Sequence, residues 1–188
     1  MTVNDLMMLT VNEIDYSSLS VETLKELALG DELFIATSAI GELANRDSNL
    51  GAEVAWEILS NSKGDRYLQA AALETLFQSN QKRALHYMNQ RTRDWDHYLL
   101  KTVIELIIEN PSDFSSGLGW PVSRLIRERI KNFKDEEHFI APELIDSFLK
   151  RVHPKVAKIV LRRDKGDKGT RRIGLSKKNI FAKMGYAS

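Results

Sequence analysis

Cysteine is absent from all 188 residues. That one absence excludes disulfide staples, thiolate zinc sites and cysteine nucleophiles together, and a reducing compartment is the simplest setting for such a chain. Long apolar runs are also missing, since no stretch approaches the roughly 20 residues that a membrane span needs. The segment Met1–Thr10 carries an acid at Asp5 and no basic region before its apolar residues, so it does not read as a secretory signal. The expectation is a soluble, cytoplasmic protein that does not meet the membrane.

Signatures of catalysis are equally scarce. There is no GxSxG elbow, no GxxxxGK[ST] phosphate loop, no GxGxxG turn and no HExxH helix. His86, His97, His138 and His153 never fall at the three- or four-residue spacing of paired helical ligands, which leaves no metal site to predict. Asp94, Trp95 and Asp96 bring two carboxylates and an indole together, and one carboxylate could serve as a general base. Acids opening a helix also complement its macrodipole with no chemistry at all, and that is the reading preferred here. No catalytic residue, metal or cofactor is assigned, and the chain is expected not to be an enzyme.

What is present is charge, unevenly spread. Residues 1–62 carry 2 basic against 11 acidic side chains, residues 63–134 carry 12 against 8, and residues 162–188 carry 9 against 2, all within a net charge of +1. Such a layout speaks to partners, because fields of this size steer oppositely charged surfaces together.

Also present is a repeat. Phe34–Ala44, Tyr67–Phe77, Tyr98–Ile108 and Phe139–Leu149 each open with an aromatic and then an aliphatic residue, with apolar residues four, five and eight places after that aliphatic. This is the stripe of an amphipathic helix, not the alternation of a strand. The copies start 33, 31 and 41 residues apart, room for two helices and two turns. Second helices are predicted over Gly51–Asn61, Gln81–Gln90 and Pro121–Asn132, with Pro121 and Pro142 tolerated in first helical turns. Clusters of Asn, Gly, Ser and Pro mark turns at 46–51, 60–65 and 110–119. Before the repeats, Val21–Leu29 reads as a short capping helix, with Ser20 as its N-cap and Gly30 as its stop.

In these segments the chain resembles the HEAT-repeat superfamily, over roughly Ser20–Arg163. The resemblance implies an all-α fold, a short right-handed α-α superhelix of about four helical hairpins. Residues 1–163 would form the repeat domain and residues 164–188 a basic tail, with a linker over Asp164–Thr170. It implies a surface for another macromolecule, and small HEAT-like proteins that act in bacteria as immunity factors are similar in size and in their acidic patch. HEAT-like lyases and glycosylases are the enzymatic alternative, although none of their motifs matches residue by residue.

Two sets of candidate site residues follow. For a basic protein partner, such as a nuclease toxin to be inhibited, Glu42, Asp47, Glu53 and Glu57 would steer and Trp56 would anchor. For nucleic acid, the phosphate contacts would be Lys82, Arg83, Arg91 and Arg93, then Arg124, Arg127, Arg129 and Lys131, and in the tail Arg171, Arg172, Lys177 and Lys178. The tail also holds Ile173, Leu175, Ile180, Phe181, Met184 and Tyr186, apolar anchors that could dock onto the helical domain or onto a partner.

Overall fold

The computed structural model describes residues 3–7, 9–92, 94–131 and 140–152. The expected tail and linker therefore lie outside the described residues, as do Arg93, His138, Phe139 and His153. Within the described residues every regular element is helical and no strand occurs. In chain order these are α1 (Val3–Met7), two 3-10 turns (Val11–Glu13 and Tyr16–Ser18), α2 (Val21–Ala28), α3 (Leu33–Arg46), α4 (Ser48–Ser60), α5 (Arg66–Ser79), α6 (Gln81–Arg91), α7 (His97–Glu109), α8 (Gly119–Lys131) and α9 (Pro142–Val152).

Local chemistry fixes the boundaries. Ser20 caps α2 by accepting the Thr23 amide at 3.1 Å, as expected, but Gly30 is not left-handed and the helix closes at Leu29. The 46–51 turn is much shorter than its composition suggests. Asp47 alone joins α3 to α4: its N–H donates to the Leu43 carbonyl at 2.9 Å while its carboxylate accepts the Asn49 amide at 2.8 Å. Ser48 and Asn49 look like loop residues but occupy the first turn of α4, where the cap suits them. Asn80 does the same between α5 and α6, donating to Leu76 O at 2.7 Å and accepting from Arg83 N at 3.1 Å. In the fourth copy α9 begins at Pro142, the first-turn position expected for this proline, whose missing amide donor costs nothing there, so the helix starts later within its copy than α3, α5 and α7 do.

The repeated stripes make the core. Ile35, Ala36, Ala39, Ile40 and Leu43 of α3, Leu68, Ala72, Leu73, Leu76 and Phe77 of α5, and Leu99, Leu100, Val103, Ile104 and Ile107 of α7 are all buried. α3 packs on α5, α5 on α7 and α7 on α9, while α6 packs on α5 and α8, and α4 lies against α3 and α5. At the amino-terminal end α2 covers α3.

The long interval before α8 is anchored rather than loose. Phe114 is buried and stacks on Phe77 with ring centroids 5.5 Å apart, and its carbonyl accepts the Ser123 hydroxyl at 2.9 Å. A side chain at Gly119 would collide with the Asp113 carbonyl, so α8 can start hard against this loop only with glycine there. The loop is tied to α6 as well, through Asn89 Nδ2 donating to the Leu118 carbonyl at 2.8 Å.

Candidate functional site

The four acids expected to face a basic partner do not form one cluster of uncommitted charge. Glu42 on α3 pairs with Arg46 at 2.8 Å, and that guanidinium also donates to the carbonyls of Tyr16, Ser17 and Leu19, binding the amino-terminal turns to α3. Asp47 is the cap between α3 and α4. Glu57 on α4 pairs with Lys63 at 2.7 Å, while Glu53, one turn earlier on α4, is exposed. The charge is nevertheless at the surface. Of the 11 acids among residues 1–62, nine are exposed: Asp5, Glu13, Asp15, Glu22, Glu26, Asp31, Glu32, Asp47 and Glu53. Hydrogen bonds hold two of these below the usual carboxylate range: the Thr10 amide and hydroxyl act on Glu13, and the Ser17 hydroxyl on Asp15.

Trp56 is half-buried, not a free anchor. Its ring meets Tyr87 edge-on at 6.1 Å, and the Arg83 guanidinium lies 4.2 Å from its centre, so one face is already covered by a cation–π contact. Burial pushes the Tyr87 phenol above its ordinary pKa, with Arg91 pulling the other way. Tyr87 in turn packs against buried Trp95 at 6.3 Å, which links α4, α6 and the turn before α7 through aromatic rings.

The basic set is divided by the fold. Lys82 and Arg91 on α6 and Arg124 on α8 are exposed, on two helices that pack together. Arg83 is spent partly on Trp56. Arg129 donates to the Thr92 carbonyl at 3.1 Å, and Lys131 pairs with Glu128 at 3.2 Å. Arg127 is only 8% exposed, its guanidinium 5.5 Å from the Trp120 ring, so it is a packing cation rather than a surface one. Its burial follows from period: Gly119, Val122, Ser123, Ile126 and Arg127 all lie on the buried face of α8. Arg93, Arg171, Arg172, Lys177 and Lys178 lie outside the described residues.

Asp94, Trp95 and Asp96 line an open cleft of about 420 Å³ together with Arg66, Gln69, Tyr87, Arg91 and Leu99. Asp96 caps α7, accepting the Tyr98 and Leu99 amides at 2.7 and 3.1 Å through one oxygen and pairing with Arg66 at 2.9 Å through the other. Among the described residues no group of three or more His, Asp or Glu is placed to hold a metal, and no helix is long and apolar enough to cross a membrane.

One surface feature has no counterpart in the sequence-based site sets. α3, α5 and α7 each have an acid as N-cap and an aromatic residue at the second helical position: Glu32 and Phe34, Asp65 and Tyr67, Asp96 and Tyr98. Phe34 is 69% exposed and Tyr67 54% exposed. Tyr67 and Tyr98 lie side by side, centroids 4.5 Å apart and hydroxyls at 3.0 Å, which brings the starts of α5 and α7 together. That hydrogen bond is also the largest cause raising the Tyr67 pKa. The signal lies in the repeat itself, since in the first three copies the opening aromatic, Phe34, Tyr67 or Tyr98, stands one residue before the buried stripe.

No family model matches the chain, and no match is found among curated proteins or solved structures.

Proposed function

We propose that this chain is a protein-binding helical-repeat module, of the inhibitor or immunity type, that covers a basic protein partner such as a nuclease toxin. The observation that carries this reading is the acidic amino-terminal end, where 2 bases face 11 acids over residues 1–62 and nine of those acids are exposed. Charge of one sign gathered on one end of a fold exceeds what solubility requires and accelerates encounter with a basic surface. The proposed scaffold is a short right-handed superhelix of about four HEAT-like hairpins, and the sequential packing of α3, α5, α7 and α9 supports it. Inhibition would be steric, with the helical wall occluding the partner's active surface. The test is affinity capture from the source cells by the native chain and by Glu42, Asp47, Glu53 and Glu57 all changed to Lys. A basic protein retained by the native chain should associate with the variant about tenfold more slowly, or worse. Equal retention by both, or capture of acidic proteins alone, would sink the reading.

Nucleic-acid binding is the second reading. It is supported by Lys82, Arg91 and Arg124, exposed on the two packed helices α6 and α8. It predicts affinity that falls steeply with salt, because each neutralised phosphate releases counterions. Gel shifts with single- and double-stranded probes at low salt decide it.

A further inference from the structure

The exposed ends of α3 and α5 join two features that normally stay apart. Phe34 is 69% exposed, the largest exposure among the big apolar side chains of the described residues, and Asp31 and Glu32 immediately before it are both exposed. Glu32 makes no side-chain capping bond, so its carboxylate is not engaged in holding α3. Tyr67, at the same helical position of α5, continues the edge behind Asp65. α3 and α5 pack on each other, and each starts with an acid N-cap and an exposed aromatic side chain, a combination that suits a segment that mixes cations with apolar residues. The carboxylates pair with the cations, and the rings take either an apolar side chain or a cation over the face.

The chain carries such a segment. Residues 162–188 hold 9 basic and 2 acidic side chains, with Arg171–Arg172 and Lys177–Lys178 set among Ile173, Leu175, Ile180 and Phe181. Its length fits. Between α9 and Arg171 lie the 18 residues 153–170, which can reach up to roughly 60 Å when extended. Three steps between packed helices, from α9 through α7 and α5 to α3, amount to about 24–30 Å.

We infer that the basic tail, residues 162–188, docks in cis on the acid–aromatic edge formed by Asp31, Glu32, Phe34 and Tyr67. Docked there, the tail neutralises the acidic end and occupies the surface nearest to it, so an external basic partner must displace it before binding tightly. The regulatory consequence rests on the partner-binding reading, whereas the docking itself is intramolecular and can be read with no partner present.

The absence of cysteine allows a clean test on the full chain. A nitroxide attached through Ser176→Cys should extinguish backbone amide signals of residues 31–34 and 66–68 at low salt. Those signals should return at about 1 M salt, where the screening length falls to about 3 Å. They should also return when Arg171, Arg172, Lys177 and Lys178 are changed to Glu, and when Phe34 and Tyr67 are both changed to Ser. Signals that stay intact at low salt, or that vanish from another face, overturn the inference. A mixture of isotope-labelled native chain and spin-labelled unlabelled chain separates the remaining case, because loss of signal there means that a second copy, not the chain's own tail, fills the edge.

Discussion

The first and second hairpins, α3–α4 and α5–α6, have the same joint and opposite surfaces. Each is closed by a single residue of similar φ, Asp47 at φ −150° and ψ 112° and Asn80 at φ −147° and ψ 75°, and each joint residue caps both helices it joins. Yet the outward charges of α4 are the acids Glu53 and Glu57 and those of α6 are the bases Lys82, Arg83 and Arg91, at positions that do not correspond along the two helices. The buried stripe and the cap determine the hairpin, and the outward positions can carry either sign. The pairs beneath the joints differ in size as well. The first hairpin places Gly51 of α4 against Ala44 of α3, and a Cβ on Gly51 would meet the Ala44 Cβ at 2.5 Å. Thirty-three residues on, the equivalent positions are Phe77 and Ala84, and Phe77 turns instead to stack on Phe114. The first hairpin brings its own small residues into close contact, while in the second the larger Phe77 is packed by Phe114 from the loop before α8.

The sharpest challenge to this comparison is in the core. Ile40→Ala and Leu73→Ala remove fully buried side chains from equivalent positions of α3 and α5. Each should cost about 2–5 kcal/mol in urea unfolding, and Leu73 more, since α5 packs on α3, α4, α6 and α7. Next comes Gly51→Ala, expected to destabilise by about 1–3 kcal/mol through overpacking even though alanine is the better helix former. Ala84→Gly should cost about 1 kcal/mol by loss of helix propensity; a stabilised Gly51→Ala protein would show that the first hairpin is not closed on these residues. Asp47→Ala and Asn80→Ala should each cost about 1 kcal/mol, and near-equal losses would establish that the joints do the same work.

An alkaline titration separates the hairpins further. Burial raises the folded-state pKa of the Tyr87 phenol, so its neutral form is favoured by folding. That contribution is intact below the unfolded value of about 10 and is lost as pH rises through the folded value. The thermal midpoint should therefore fall above about pH 10, less steeply in Tyr87→Phe, and an identical fall in both would mean that other groups dominate. The smallest effect is Glu53→Lys, expected to change stability by no more than about 0.5 kcal/mol while slowing capture of a basic partner.

Helix positions were largely legible because a period of 3.6 is written into Leu99, Val103, Ile104 and Ile107 and their counterparts. The single-residue joint was not, because Arg46–Gly51 has the composition of a loop; only the double capping by Asp47 shows why α4 can begin at Ser48. The burial of Arg127 is hidden for a similar reason: a cation reads as exposed until its place four residues after buried Ser123 is respected. Phe114 could not be anticipated, since its partner Phe77 lies 37 residues away in another helix. The division of acidic and basic segments was plain from the sequence. That Glu42 and Glu57 would be held by Arg46 and Lys63 depended on side-chain reach, which composition does not contain.

The three tryptophans stand in three different settings: Trp56 half-covered by Arg83 between α4 and α6, Trp95 sealed at the α6–α7 turn, and Trp120 42% exposed at the start of α8. Their fluorescence is therefore a built-in record of position. Loosening of the first hairpin would shift Trp56 emission to the red and leave Trp95 unchanged, whereas global unfolding would merge all three into one solvent-exposed spectrum. Single-tryptophan variants would thus reveal which end of the chain yields first.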